Sequence, residues 1–136
     1  MELNVRTLNG DDYKELCSWW EKWNWPILSR DMLPGNGTSG IMISKNNINI
    51  VAGFLYWSNS NLVWLDWIIS NPEYKENDRK KAIEMLISTS EDMVAESGKK
   101  YMMSISRSKS LLETHKKLGW SVDGTASHEM VKIINK

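Results

Sequence analysis

The segment Leu62–Leu86, LVWLDWIISNPEYKENDRKKAIEML, decides the fold. Its first part, Leu62–Ser70, is apolar nearly throughout, which is typical of a central strand covered on both faces. The polar turn KENDRK then leads into a helix predicted from about Asp78 to Glu96, with apolar residues along one side. Ligands of α/β proteins usually bind where a central strand gives way to a helix, so this turn is the first candidate site.

The flanking sequence predicts further strands and helices. Apolar residues recur every second residue in the strands and every third or fourth in the helices. The predicted strands and hairpin are Glu2–Leu8, Gly40–Lys45 with Ile48–Ser58, Tyr101–Ser106, Trp120–Asp123 and His128–Ile134. A first helix is predicted to start at Asp11 or Asp12 and to end near Trp23. A short helical turn is predicted around Ser29–Leu33, and a further helix over Ser110–Leu118. The expected fold is α/β, with a central mixed sheet of six or seven strands flanked by about four helices.

Composition limits the class of protein. The 136 residues suffice for one domain. The 17 acidic and 17 basic residues balance, so the net charge does not indicate binding to nucleic acid. Nucleic acid nevertheless stays open as a partner. No segment has the length and hydropathy of a membrane span or signal peptide. The single cysteine fits a reducing cytoplasm, and no spacing of histidine and cysteine indicates a metal site. Monomer and homodimer both remain open.

Cations crowd the start of the predicted second long helix. Lys75, Arg79, Lys80 and Lys81 lie at the end where the helix dipole favours negative charge. Free backbone amides at this end can bind an anion such as phosphate. A solvated turn with a basic face is the alternative.

This layout resembles the GNAT-type N-acetyltransferase superfamily, which transfers acyl groups from acyl-coenzyme A to amines. In that family a Q/R-x-x-G-x-G/A loop cradles the coenzyme A pyrophosphate. Here Lys75 falls on the Q/R position, Asp78 on the first glycine and Lys80 on the Gly/Ala position, while Ala82 matches a small helix position. Both loop glycines are therefore replaced, and Asp78 adds a negative charge.

A second block, Ser108–Trp120 (SKSLLETHKKLGW), resembles the family pattern N-x-x-A-x-x-L-Y-E-K-L-G-F. Ser108 falls on the asparagine, Leu111 on the alanine and His115 on the tyrosine. The resemblance implies one GNAT-like acyltransferase domain over residues 1–136. A phage-encoded member of the family is one option.

The resemblance also implies a co-substrate, acetyl-CoA, and no metal. The acetyl group would move to a primary amine by direct attack in a ternary complex. His115 would be the general acid at the leaving thiolate, because imidazole donates a proton near neutral pH. Backbone groups at the end of the central strand would hold the pantetheine arm. The implied cofactor-binding residues are Ile68, Ile69, Ser70, Lys75, Asn77, Asp78, Arg79, Lys80, Lys81, Ala82 and Ser108.

Asp66 is the candidate base. It is a carboxylate within an apolar strand, where an unpaired charge is costly, so it must find a partner or face a cleft. Strand alternation predicts that it shares a face with Trp64 and Ile68, opposite Leu65 and Trp67.

Tryptophan is abundant, with eight residues against one phenylalanine. Aromatic rings suit either a core or an amine-binding cleft. The predicted substrate-binding residues are Trp20, Trp23, Trp25 and Trp64. A peptide and small-molecule amines such as an antibiotic or a polyamine remain open as acceptors, as does a nucleobase.

Two other functions stay open. One is a protein of the same fold without acetyl-CoA activity, acting as a binding module or in nucleobase modification. The other is an interaction protein whose tryptophans form a partner surface, which exposure of several rings would favour.

Overall fold

In a computed structural model, residues 2–135 are described and form five strands and three α-helices. The elements in chain order are β1 (Asn4–Thr7), α1 (Asp12–Lys22), β2 (Gly40–Lys45), β3 (Ile48–Trp57), β4 (Leu62–Ser70), α2 (Arg79–Glu96), β5 (Tyr101–Ser104) and α3 (Lys109–Lys117). Two short 3-10 turns, Arg30–Met32 and Pro34–Gly37, lie between α1 and β2. The chain forms two compact units, one ending at Ile105 and one beginning at Ser106.

The first unit contains a mixed sheet in the order β1-β2-β3-β4-β5. The first four strands pair antiparallel, and β5 pairs parallel to β4 after the crossover through α2. Asn46 and Asn47 form the β2–β3 turn with φ of 54° and 64°, a conformation that asparagine tolerates. The predicted bounds of β2 and β4 and the parallel crossover are confirmed.

The two faces of this sheet are covered by different helices. On the α1 face, Leu16, Trp20, Met42 and Phe54 are fully buried in one cluster. On the α2 face, Leu86 approaches so closely that a Cβ at Gly53 would lie 3.1 Å from its Cδ2. Both faces of the sheet are therefore packed against a helix.

The second unit contains α3 and the residues that follow it. The predicted strands Trp120–Asp123 and His128–Ile134 do not form among the described residues, and that prediction was wrong. Strands need a neighbouring strand for their backbone groups, and none pairs with this segment in the part of the chain described. Its apolar side chains are also largely exposed, with Met130 at 92%. The described residues therefore give a sheet of five strands and three α-helices, where six or seven strands and about four helices were expected.

Candidate functional site

β4 and β5 separate partway along β4. Their parallel pairing ends with Leu65 opposite Ser104, although β4 continues to Ser70. On its other edge, β4 pairs with β3 as far as Ser70 opposite Val51. Within residues 2–135, positions 66–70 therefore have a neighbouring strand on one edge only. Backbone groups on the open edge are available to a ligand.

This open part of β4 contains Ile68, Ile69 and Ser70, three of the predicted cofactor-binding residues. Ile69 is buried, whereas Ile68 and Ser70 are half-buried. The carbonyl of Ser70 accepts a hydrogen bond of 2.8 Å from Trp23 Nε1. That carbonyl and the Trp67 N–H, which donates to Asp66 Oδ1, are already engaged, so the remaining backbone groups of this part are the better candidates for ligand contacts.

An irregularity in β4 turns Trp67 toward the face that carries Asp66. The register between β3 and β4 shifts around Gly53, and Trp67 has φ of 55°. A Cβ at Gly53 would meet Ile68 on the α2 face, whereas Trp67 packs against the α1-face cluster. The prediction that Asp66 shares a face with Ile68 and opposes Trp67 was wrong, because a bulge interrupts strand alternation.

Asp66 and Trp67 line a recess of about 350 Å³ in the first unit. Its other lining residues are Met32, Tyr56 and Trp64. The Trp67 backbone N–H donates a hydrogen bond of 2.7 Å to Asp66 Oδ1, which fixes the orientation of the carboxylate. The recess thus combines aromatic walls with a single carboxylate among its described lining residues.

Tyr56 stabilises the walls of this recess. Its hydroxyl donates to the Met32 carbonyl and accepts from Trp67 Nε1, both at 2.8 Å. Burial, with a smaller contribution from the Asp66 charge, raises the pKa of Tyr56 to about 12. The hydroxyl therefore stays protonated at neutral pH and holds Trp67 in place.

The predicted substrate-binding tryptophans occupy three kinds of environment. Trp64 lines the recess. Trp20 is fully buried in the α1-face cluster, so it has no surface to offer a substrate, and its predicted substrate contact is not retained. Trp23 and Trp25 are 41% and 40% exposed and do not line the recess. Only Trp64 of the four meets Asp66 at the recess.

The start of α2 has no side-chain cap. Asp78 occupies the N-cap position but makes no capping hydrogen bond. Its carboxylate instead accepts hydrogen bonds from Lys45 Nζ at 2.7 Å and from the Tyr74 hydroxyl. These two donors hold the pKa of Asp78 below its usual range, with Lys45 the larger cause. The first-turn amides of α2 therefore receive no side-chain oxygen from Asp78.

The basic residues around this turn are mostly on the surface. Lys75, Asn77, Lys80 and Lys81 are exposed, and Arg79 is half-buried. Ala82 is fully buried, and its N–H already donates to the Asp78 carbonyl at 3.0 Å. Ala82 therefore packs the helix onto the sheet and has no free amide for a phosphate.

In the second unit, His115 is buried at 4% exposure. Its Nδ1 lies 2.8 Å from the Leu111 carbonyl, and its ring meets Trp120 edge-on at 4.8 Å. Because a carbonyl only accepts, Nδ1 carries the proton in the neutral ring and Nε2 holds the lone pair. Nε2 is buried and has no hydrogen-bond partner among the described residues.

Ser108 caps α3. Its hydroxyl oxygen accepts a hydrogen bond of 3.3 Å from the Leu111 N–H. The resemblance assigns this serine to coenzyme A as a hydrogen-bond donor, and the capping bond uses only its oxygen as an acceptor, so that assignment stays a prediction.

Two residues at the site were not singled out from the sequence. Tyr56 lies opposite Trp64 in the β3–β4 register, so the hairpin register was the signal that could have found it. Ser104 ends the β4–β5 pairing, and its hydroxyl is buried without a hydrogen-bond partner in the described part of the chain. No sequence signal distinguishes this serine from others.

Over residues 2–135, no helix is long and apolar enough to cross a membrane. Nor do the residues described bring three or more histidine, cysteine, aspartate or glutamate side chains together as a metal site.

No protein-family model and no curated protein sequence matches the chain. Solved structures do match. An acetyltransferase of Trypanosoma brucei is 16% identical, with 96% of this chain and all of that chain covered and a TM-score of 0.68. The ribosomal-protein-S18-alanine N-acetyltransferase of Escherichia coli is 12% identical, with 87% and 77% covered and a TM-score of 0.69.

A third match is the aminoglycoside N-acetyltransferase AAC(6')-Iy, solved with a bisubstrate analogue that contains CoA. It is 15% identical, with 98% of this chain and all of that chain covered and a TM-score of 0.65. The chain thus has the fold of GNAT-type N-acetyltransferases, as its sequence motifs predicted. These likenesses give no support to a phage origin.

Proposed function

We propose that this chain is an acyl-CoA-dependent N-acyltransferase that moves an acetyl group from acetyl-CoA to a primary amine in a ternary complex. The observation that carries the proposal is the early end of the β4–β5 pairing, which opens residues 66–70 beside a carboxylate-bearing recess. In this proposal residues 1–136 act as one GNAT-like acyltransferase domain. The matches to acetyltransferases that span 96% or more of the chain support this view.

Acetyl-CoA would lie along β4 and the start of α2. Backbone groups in positions 66–70 would bind the pantetheine arm and polarise the thioester carbonyl, an oxyanion-type contribution. The uncapped first turn of α2, with Lys75, Arg79, Lys80 and Lys81 around it, would bind the phosphates. The Arg79 amide already donates to the Glu76 carbonyl at 3.2 Å, so the amides of Lys80 and Lys81 would supply part of what the missing loop glycines provide.

The transfer step needs an unprotonated amine. Asp66 would take one proton from the ammonium, directly or through a water, and the freed lone pair attacks the carbonyl carbon of the thioester. The C–N bond forms, the C–S bond breaks, the nitrogen releases its second proton, and the coenzyme A thiolate leaves. The thiolate takes up one proton and the proton on Asp66 passes to solvent, so the products are the N-acetyl amine, coenzyme A and one proton.

His115 is the proposed donor of the proton that the thiolate takes up: its Nε2 would first accept the second proton of the reacting nitrogen, through water, and then release it to the thiolate. Its Nδ1–H is committed to the Leu111 carbonyl, so only Nε2 remains to carry and release a proton. A buried ring nitrogen without a partner in the described chain is costly, which supports a functional use.

Calorimetric titration with acetyl-CoA tests the proposal. We expect micromolar binding by the wild-type chain and its loss in Lys80→Glu. Lys14→Glu, which makes the same charge change at an exposed lysine of α1, is the control and should bind normally. No binding of acetyl-CoA by the wild type at millimolar concentration would reject the acyltransferase, and the alternative of a GNAT fold without acetyl-CoA activity would replace it.

A further inference from the structure

We propose that the recess at Asp66 takes an apolar monoamine, meaning one primary ammonium on an aromatic or branched aliphatic body. This inference rests on the proposed function, because it names the class of acceptor for that same site. The inference is based on the aromatic side chains that line the recess and on the hydrogen bonds that already engage some of their polar atoms.

The wall is mainly aromatic. Tyr56, Trp64 and Trp67 contribute rings, and Met32 adds a thioether side chain. Such surfaces favour flat or branched apolar groups, and the faces of indole and phenol rings attract cations. A volume of about 350 Å³ lies at the small end of ligand sites, so it suits a small molecule.

The polar edges of two of these rings, Tyr56 and Trp67, point to each other. Trp67 Nε1 donates to the Tyr56 hydroxyl, which in turn donates to the Met32 carbonyl. These groups have few hydrogen bonds left for the hydroxyls of a sugar. A polyhydroxylated acceptor would therefore lose its bonds to water without replacement, which is unfavourable.

The charge of the wall matches one ammonium. Asp66 is the only carboxylate among the described residues that line the recess, and the Trp67 N–H orients it. A polyamine would bring further positive charges into an apolar space without carboxylates to pair them, at a cost in desolvation. Charge complementarity therefore selects a monoamine.

Binding without acetyl-CoA tests this inference. We would titrate the whole chain by calorimetry with phenethylamine, with 2-phenylethanol as its uncharged counterpart, and with spermidine and kanamycin as polycations. Phenethylamine should bind about tenfold or more tightly than 2-phenylethanol, because only the ammonium makes a charge-assisted bond to Asp66. Spermidine and kanamycin should bind more weakly than phenethylamine.

Variants locate the binding. Asp66→Asn should remove the preference for phenethylamine over 2-phenylethanol. Trp64→Ala should weaken phenethylamine about tenfold, and Trp64→Phe, which keeps a ring, should weaken it less. Trp57→Ala is the control, because Trp57 is a 46% exposed ring of β3 outside the recess lining.

The outcomes separate the two proposals. Tighter binding of spermidine or kanamycin, or equal binding of phenethylamine and 2-phenylethanol, would overturn the monoamine assignment. If acetyl-CoA binds and these amine results fail, the acyltransferase stands with another class of acceptor. If the amine results hold and acetyl-CoA does not bind, the recess assignment stands and the acyltransferase fails.

Discussion

Lys45 Nζ lies 2.7 Å from the Asp78 carboxylate, and this ion pair ties the β2–β3 hairpin to the start of α2. The pair is the reason that Asp78 does not cap its own helix, because its oxygens are used by Lys45 and Tyr74. A negative charge nevertheless remains beside the turn that the proposal assigns to phosphates. The Asp78 carboxylate is therefore expected to weaken the binding of an anion at this loop.

Neutralising that charge should strengthen acetyl-CoA binding. In Asp78→Asn, the amide still accepts a bond from Lys45 or Tyr74, but the repulsion of phosphate is gone. We expect a Kd about threefold lower, in line with a partly exposed charge interaction. Asp92→Asn, the same change at an exposed position farther along α2, should leave the Kd unchanged. Weaker binding by Asp78→Asn would mean that the full ion pair is needed to shape the loop.

Asp12 should make folding stability depend on acid pH. The Arg6 guanidinium donates to both carboxylate oxygens at 2.8 Å and, as the largest cause, holds the pKa of Asp12 below its unfolded value of about 3.8. A lowered folded pKa stabilises the fold above the unfolded pKa, and this stability is lost as pH falls through the folded pKa.

The variant Asp12→Asn isolates this contribution. At pH 7 it should lower the free energy of unfolding by about 2 kcal/mol, since the bonds are charge-assisted but Arg6 is partly exposed. The difference from wild type should shrink as the pH falls below the unfolded pKa of about 3.8 and through the lower folded pKa. Urea unfolding over this range and at pH 7 measures it. A difference that stays constant with pH would contradict the assigned ion pair.

The backbone of Trp67 carries strain. Its φ is 55°, and the other described non-glycine residues with a positive φ are four asparagines. Glycine adopts this conformation without cost, so Trp67→Gly relieves strain while it removes a ring. Trp64→Gly removes an equal ring from an extended position without that relief.

We therefore expect Trp67→Gly to lower the free energy of unfolding by about 1 to 2 kcal/mol less than Trp64→Gly does. Denaturant unfolding of both variants gives the comparison. An equal loss in the two variants would indicate that the Trp67 indole bond to Tyr56 outweighs the relief of strain.

Ser104 should be dispensable for stability and useful for ligand binding. Its buried hydroxyl has no partner within residues 2–135, so Ser104→Ala should leave the free energy of unfolding unchanged or slightly raised. Ser90→Ala, which removes a buried hydroxyl bonded to the Leu86 carbonyl, should cost about 1 kcal/mol. Because Ser104 sits where β4 and β5 part, we expect its loss to raise the KM for acetyl-CoA. An unchanged KM would mean that the hydroxyl faces no ligand.

Local patterns predicted most of the first unit. The apolar run of Leu62–Ser70 and the Asn46–Asn47 turn are signals carried by neighbouring residues, and the structure follows them. The bulge at Trp67 was not predictable, because LDWII contains none of the glycine or asparagine that usually marks a left-handed residue. The position of Trp67 in the recess follows from that bulge.

Contacts between residues far apart in the sequence were the second feature that sequence patterns could not predict. The partner of Asp78 is Lys45, 33 residues earlier, so only the folded hairpin brings them together. The tail pattern HEMVKII has the alternation of a strand, but alternation cannot supply a neighbouring strand. Trp20 shows the same limit for the site, because a ring in a helix can serve a core or a cleft with the same spacing.

Because the β4–β5 pairing ends early, the two parts of β4 should differ in their rates of amide hydrogen exchange. Amides of Val63 and Leu65 lie between two strands in a packed layer and should exchange with deuterium only when much of the unit unfolds. Amides beyond Asp66 have one neighbour and should exchange through small local openings, minutes to hours sooner. Under the proposed function, acetyl-CoA should slow the exchange of these amides selectively, so β4 would change from a half-protected strand to a fully protected one when acetyl-CoA is bound.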